Sequence, residues 1–256
     1  MDGPLHDYPV RVFYRLPESA ATAPVLIVMP GQQRDASRYR SEWSAALGAR
    51  NVILVVPEFD RDEFSGSEAY NLGNMIDDDG HPRARSRWSF NIVEALFSYV
   101  VKQSGTNAQT YYLYGHSAGA QFVSRFMQFM PDNRVKTAVA ANAGWYTASD
   151  NSVRFPYGLE GAPVKLADMG PVFRSDLVVL LGGDDVDEND SSLQRDHRTD
   201  AQGTNRLERG LNFFYSSRIA ADSANLPFRW RLNVAPGVAH SDAGMAKVAA
   251  SLLFPQ

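Results

Sequence analysis

The chain has 256 residues, 44% of them hydrophobic and 21% charged, with 25 Lys and Arg against 29 Asp and Glu and a formal net charge of -4. No segment is dominated by Lys or Arg, which argues against a nucleic-acid-binding surface, and the apolar share is enough to bury a sizeable core. With no cysteine in the chain, disulfides, thiolate catalysis and zinc–cysteine sites are excluded.

No apolar run reaches the length that spans a bilayer. The start, Met1-Asp-Gly-Pro-Leu-His-Asp7, has neither the basic nor the apolar region of a secretion signal. The compartment is therefore left open: cytoplasmic if the chain is complete, secreted or periplasmic if a leader has been removed. Val10 to Leu16 alternates as an edge or hairpin strand does. Val25 to Met29 is a continuous apolar run, the pattern of a strand buried on both faces of a parallel sheet. Pro30-Gly31-Gln32-Gln33 then leads into a helix near 37–49, and Asn51 to Pro57 is a second buried strand. Residues 58–85 form a long polar stretch with several Gly and Pro. Ser86 to Gln103 has helical spacing of Trp88, Ile92, Leu96 and Tyr99.

An aromatic strand, 110–114, runs into Gly115-His-Ser117-Ala-Gly119 and then an amphipathic helix to about Met130. Val135 to Ala143 is the next buried strand, followed by Trp145 and Tyr146. Residues 147–175 have no clear period and read as a cap or loop insertion over the strand ends. Asp176 to Leu181 is a further strand, ending in Gly182-Gly-Asp-Asp185. Asn205 to Ala221 is helical, Phe228 to Val234 alternates as a strand, and Ala235 to His240 turns into a closing helix, 242–253. Strands alternating with helices at this rhythm predict an α/β fold. The expectation is one domain over 1–256, a doubly wound, mostly parallel sheet with helices on both faces.

The 115–119 segment has the strand–turn–helix setting of a nucleophile elbow, where a sharp turn lifts a serine to the N-terminus of a helix and tolerates only tiny residues two positions away. Gly115 and Gly119 meet that demand. A serine hydroxyl needs a base. Of the five histidines, His116 is expected to point into the sheet, His6 lies in the N-terminal tail, and His81 and His197 lie in polar loops. His240 follows the last strand at the sheet edge that also carries Ser117, and is the expected base. The acid that orients it comes from the loop after Leu181: G-x-x-D favours Asp185, with Asp184 and Asp187 as substitutes. The oxyanion donors are expected to be the N–H of Ala118 and that of Gln32, with Gln33 an alternative to the latter.

The order of elbow serine, acid and histidine resembles the α/β-hydrolase superfamily across nearly the whole chain. Pro30-Gly-Gln-Gln, Gly115-His-Ser-Ala-Gly-Ala120 and Pro236-Gly-Val-Ala-His240 are similar to the esterases related to polyhydroxyalkanoate (PHB) depolymerases. That resemblance implies a serine hydrolase acting on small or oligomeric carboxylic esters, with no cofactor and no metal. A peptidase or amidase on the same fold, or a non-catalytic ligand-binding member of it, are the alternatives. Trp145 and Tyr146 are candidates for the substrate pocket, and Phe155, Tyr157 and Tyr70 for a lid or wall. Asp77 to Gly80 lacks the downstream acid of a calcium loop. Arg83, Arg85 and Arg87 read as surface charges.

Overall fold

The computed structural model describes residues 9–77 and 79–255; His6 and Asp78 fall outside them. The apolar runs become neighbouring strands of one seven-stranded sheet, ordered β1-β3-β2-β4-β5-β6-β7. Its strands are β1 (Arg11–Arg15), β2 (Val25–Met29), β3 (Ile53–Glu58), β4 (Tyr111–His116), β5 (Val135–Ala141), β6 (Leu177–Gly182) and β7 (Arg231–Ala235). The edge strand β1 pairs antiparallel with β3, and every other pairing is parallel. Successive side chains of a strand face opposite ways. In β2, Val25, Ile27 and Met29 therefore enter one core, and Leu26 and Val28 enter the other.

Both faces are apolar, so both need a cover of helices. On one face lie α1 (Ala36–Leu47) and, at the chain's end, α7 (Asp242–Leu253). The other carries α2 (Asn91–Ser104), α3 (Ala118–Phe129) and α6 (Arg206–Ser223). The caps are those the sequence supplies: Asp35, Asn205 and Ser241 each accept a backbone N–H at the starts of α1, α6 and α7. The short helices α4 (Gly170–Arg174) and α5 (His197–Asp200) lie in the connections.

One expectation needs correction and another is completed. Helix α2 begins at Asn91, because Trp88 is extended (φ -72°, ψ 132°) behind a 3-10 turn at Arg85–Arg87, and its indole N–H donates to the Arg83 carbonyl. Helix α3 has the expected apolar and polar sides, but neither is left to solvent: all twelve of its residues are buried. Its polar side is covered by the two irregular stretches of the sequence. Asn71 donates to Gln121 Oε1 at 2.8 Å, Arg125 Nε donates to Thr147 Oγ1 at 2.9 Å, and Gln128 donates to the Thr147 carbonyl at 2.9 Å. Residue Thr147, at the head of the expected insertion, thus fastens that segment to the flank of α3.

Candidate active site

Strand β4 ends at His116 and α3 begins at Ala118, leaving Ser117 as the whole turn, at φ 57° and ψ -119°. A non-glycine residue in that region is strained by about 1–3 kcal/mol. The surroundings enforce it. The Ser117 N–H donates to the Ala141 carbonyl of β5 at 3.0 Å, and a β-carbon on Gly115 would sit 2.1 Å from the Gly119 carbonyl oxygen. Ser117 is half-buried, and its hydroxyl makes no hydrogen bond among the described residues. The Ala118 and Gln32 N–H groups likewise donate to no protein acceptor among those residues.

Asp185 is 3% exposed and lies one turn beyond β6, its N–H donating to the Gly182 carbonyl. Its Oδ2 stands 2.8 Å from His240 Nδ1. A carboxylate only accepts, so Nδ1 is the donor across this contact, which leaves Nε2 on the side of the ring away from Asp185. Asp184 and Asp187 are exposed. The acid turn and the histidine turn are held together by Asn142, itself at φ 51°. Its Oδ1 accepts the Gly182 N–H at 2.6 Å, and its Nδ2 donates to the Ala239 carbonyl at 3.2 Å. The closeness explains Gly182: a β-carbon there would lie 2.4 Å from the Val238 carbonyl oxygen.

His116 lies beneath this pair. It is buried, its ring centroid is 4.6 Å from that of His240, and its Nδ1 is 3.2 Å from the Tyr39 hydroxyl. Burial, then the nearby His240, Arg206 and Arg38, push its pKa well below the usual histidine value, so the ring stays neutral. The residue before Ser117 and the expected base are therefore in ring contact, which puts Ser117 and His240 on the same rim of the sheet.

A cleft of about 590 Å³ opens over Ser117, and Gln32, Ala118 and Trp145 lie in its wall together with Arg61 and Gln194. The 31–35 loop is pressed on the elbow: a β-carbon at Gly31 would come 3.5 Å from Ser117 Cβ. Arg34, at φ 58°, holds this loop to the 59–66 loop by donating to the carbonyls of Phe59, Phe64 and Gly66. Arg61 donates to the Gln32 carbonyl at 3.0 Å, which turns that peptide's oxygen toward the guanidinium. Trp145 packs between Arg125, 4.1 Å from its ring, and Tyr157, 4.7 Å away.

Tyr146 does not belong to that wall. It is buried, stacked on Phe213 at 4.3 Å and 12°, and its backbone N–H donates to Gln202. Adjacent residues on an extended segment point opposite ways, so only one of this pair can face the cleft. Tyr70 is also core, donating to the Pro30 carbonyl at 2.6 Å beneath the 31–35 loop. Phe155 packs on Phe129 of α3. Asp77, Asp79 and His81 approach one another on the exposed surface, and His197 is exposed at the start of α5. The sequence reading missed Asn142, Tyr39 and Arg206, the last a fully buried arginine on Asp185.

Sheet order, elbow and rim are those of an α/β hydrolase. Poly(aspartic acid) hydrolase-1 from Sphingomonas sp. KT-1 superposes with a TM-score of 0.93 at 40% identity, over 96% of this chain and 93% of that one. LpqC, a poly(3-hydroxybutyrate) depolymerase from Bordetella parapertussis, superposes with a TM-score of 0.90 at 30% identity, over 96% and 85%. The siderophore hydrolase EstA from Aspergillus nidulans shares the fold, with a TM-score of 0.57 at 11% identity over 94% and 88%. No protein-family model and no curated protein matches the chain. The chain belongs to the family of the first two, α/β hydrolases related to PHB depolymerases, and is a hydrolase.

Proposed function

We propose that the protein is a serine hydrolase that cleaves carboxylic esters through an acyl-enzyme. The observation that carries this reading is the buried Asp185 carboxylate 2.8 Å from His240 Nδ1, on the rim where Ser117 is held in its strained turn. His240 Nε2 takes the proton as Ser117 Oγ attacks the carbonyl carbon, and Asp185 steadies the imidazolium. The Ala118 and Gln32 N–H groups receive the oxyanion. His240 then protonates the departing alkoxide, and a water, deprotonated by the same imidazole, releases the acid and frees Ser117. The Ser117–His240 hydrogen bond that this requires closes when substrate docks, as such contacts are often loose in the empty enzyme. Turnover of a short p-nitrophenyl ester should vanish in Ser117→Ala; retained turnover removes the proposal.

A second reading, hydrolysis of amide bonds in an acidic polymer, is favoured by the cleft's charge. Arg61 faces it, with only the Gln32 carbonyl as partner among the described residues, and the relative at 40% identity is a poly(aspartic acid) hydrolase. A guanidinium there would suit a substrate carboxylate beside the bond to be cut. Matched neutral and carboxylate-bearing esters and amides separate the readings. Faster cleavage of the acidic amide than of the neutral ester, abolished by Arg61→Gln, favours the second.

A further inference from the structure

Arg206 is the first residue of α6, yet its side chain is only 1% exposed. Its Nη1 donates to Asp185 Oδ1 at 3.3 Å, the oxygen that His240 does not use. Its Nη2 donates to Ser192 Oγ at 2.8 Å and to Asp190 Oδ1 at 3.4 Å. Asp190 in turn accepts from the Ser192 N–H and hydroxyl at 2.7 and 2.6 Å. The backbone repeats the attachment, since the Leu207 N–H donates to the Asp185 carbonyl at 3.2 Å. Ser192 and its neighbours Ser191, Leu193 and Gln194 form one part of the wall of the cleft over Ser117.

We infer that Arg206 is a positioning residue: one buried guanidinium clamps the acid that orients His240 to the 191–194 wall of the substrate cleft, through Ser192 and the adjoining Asp190. The inference rests on the serine-hydrolase reading. A lone structural anchor for α6 would not need both carboxylates, because the Asn205 cap and the Leu207 N–H already fix that helix start. A fork reaches both at once through two separate nitrogens, whereas the three donors of a lysine radiate from a single atom.

The clamp also sets the field at His240. Facing that ring are the Asp185 carboxylate, the Arg206 cation behind it, and His116 from β4, which burial keeps neutral. Asp242 stands two residues on, in α7, and bonds the Tyr114 hydroxyl; burial and then Glu42 raise its carboxyl well above the usual range, so it adds little charge. Arg38 of α1 lies beyond His116. Arg206 offsets part of the Asp185 charge that faces the imidazole. Removing its charge leaves the Asp185 carboxylate uncompensated beside the ring, and the acid limb of kcat/KM moves upward.

The test is the pH profile of kcat/KM for a p-nitrophenyl ester in the full chain, run on wild type, Arg206→Met and Arg206→Lys. A fluorophosphonate must first label Ser117 in wild type; an unlabelled serine condemns the serine-hydrolase reading itself. With a labelled wild type, Arg206→Met should move the acid limb up by about one pH unit. Arg206→Lys should leave the limb in place and lower kcat about fivefold or more, with KM little changed. A limb unmoved in folded Arg206→Met reduces the residue to a structural anchor and overturns the inference. Where Arg206→Met does not fold, Arg206→Lys decides: wild-type kcat overturns the inference, and the lowered kcat with an unmoved limb upholds it.

Discussion

Gly119 and the Met29 carbonyl oxygen are so close that a β-carbon on the glycine would stand 2.0 Å from that oxygen. The start of α3 is thereby driven against the end of β2, and Ser117 is squeezed into the turn between β4 and α3. Gly119→Ala should therefore displace the elbow. Overpacking of this kind costs about 1–3 kcal/mol, and misplacing the serine by an ångström should cut kcat/KM about 100-fold. Urea denaturation with ester kinetics checks both. A variant with native stability and turnover would show that the close approach does not hold the serine.

Among the acids of the 184–190 loop, only Asp185 meets His240. Asp185→Asn should lower kcat about 10⁴-fold by favouring the wrong imidazole tautomer. Asp184→Asn and Asp187→Asn, at exposed positions, should stay within about twofold, as surface substitutions usually have small effects. Steady-state kinetics of the three single variants decides; a larger loss in either of the latter two reassigns the acid.

His116 gives a pH signature in stability. Its folded pKa lies well below the usual value because of burial and the neighbouring cations, whereas in the unfolded chain it titrates near about 6.5. Below that pH the unfolded chain binds a proton that the folded ring refuses, so stability falls as the solution is acidified. The loss is about 1.4 kcal/mol per pH unit until the folded ring also protonates. His116→Asn removes this proton, and its stability should fall less steeply between pH 6 and 4. Equal slopes in denaturation series would contradict a buried neutral ring.

Trp145 and Tyr146 should behave oppositely. Trp145→Ala removes a wall of the cleft and should raise KM several-fold, with some loss of stability from the Arg125 stack, whose cation–π contact is worth about 0.5–2 kcal/mol. Tyr146→Phe deletes a buried hydroxyl that makes no hydrogen bond of normal geometry among the described residues. It should leave kinetics unchanged and stability equal or slightly higher. A KM change in Tyr146→Phe would return that residue to the substrate pocket.

The parallel strands were legible because a strand covered on both faces must be apolar throughout, as Val25–Met29 and Leu177–Leu181 are. The elbow was legible because its glycines answer a steric demand fixed by the turn. What escaped depends on contacts between distant segments. Arg206 resembles any helix-start arginine until Asp185 and Asp190 close round it. Asn142 reads as the tail of the 135–143 strand until it bridges Gly182 and Ala239. The polar stripe Gln121, Ser124, Arg125 and Gln128 signals a wet helix face, yet it is the inner lining beneath Asn71 and Thr147. The direction of Tyr146 was equally hidden, since no local periodicity distinguishes it from Trp145.

Covalent capture of the nucleophile tests the whole account most directly. A fluorophosphonate incubated with the folded protein, followed by peptide mapping, should place a single adduct on Ser117, abolish ester turnover, and leave Ser117→Ala unlabelled. Turnover that survives complete labelling, or an adduct on another residue that abolishes it, would contradict the claim that Ser117 carries the acyl group.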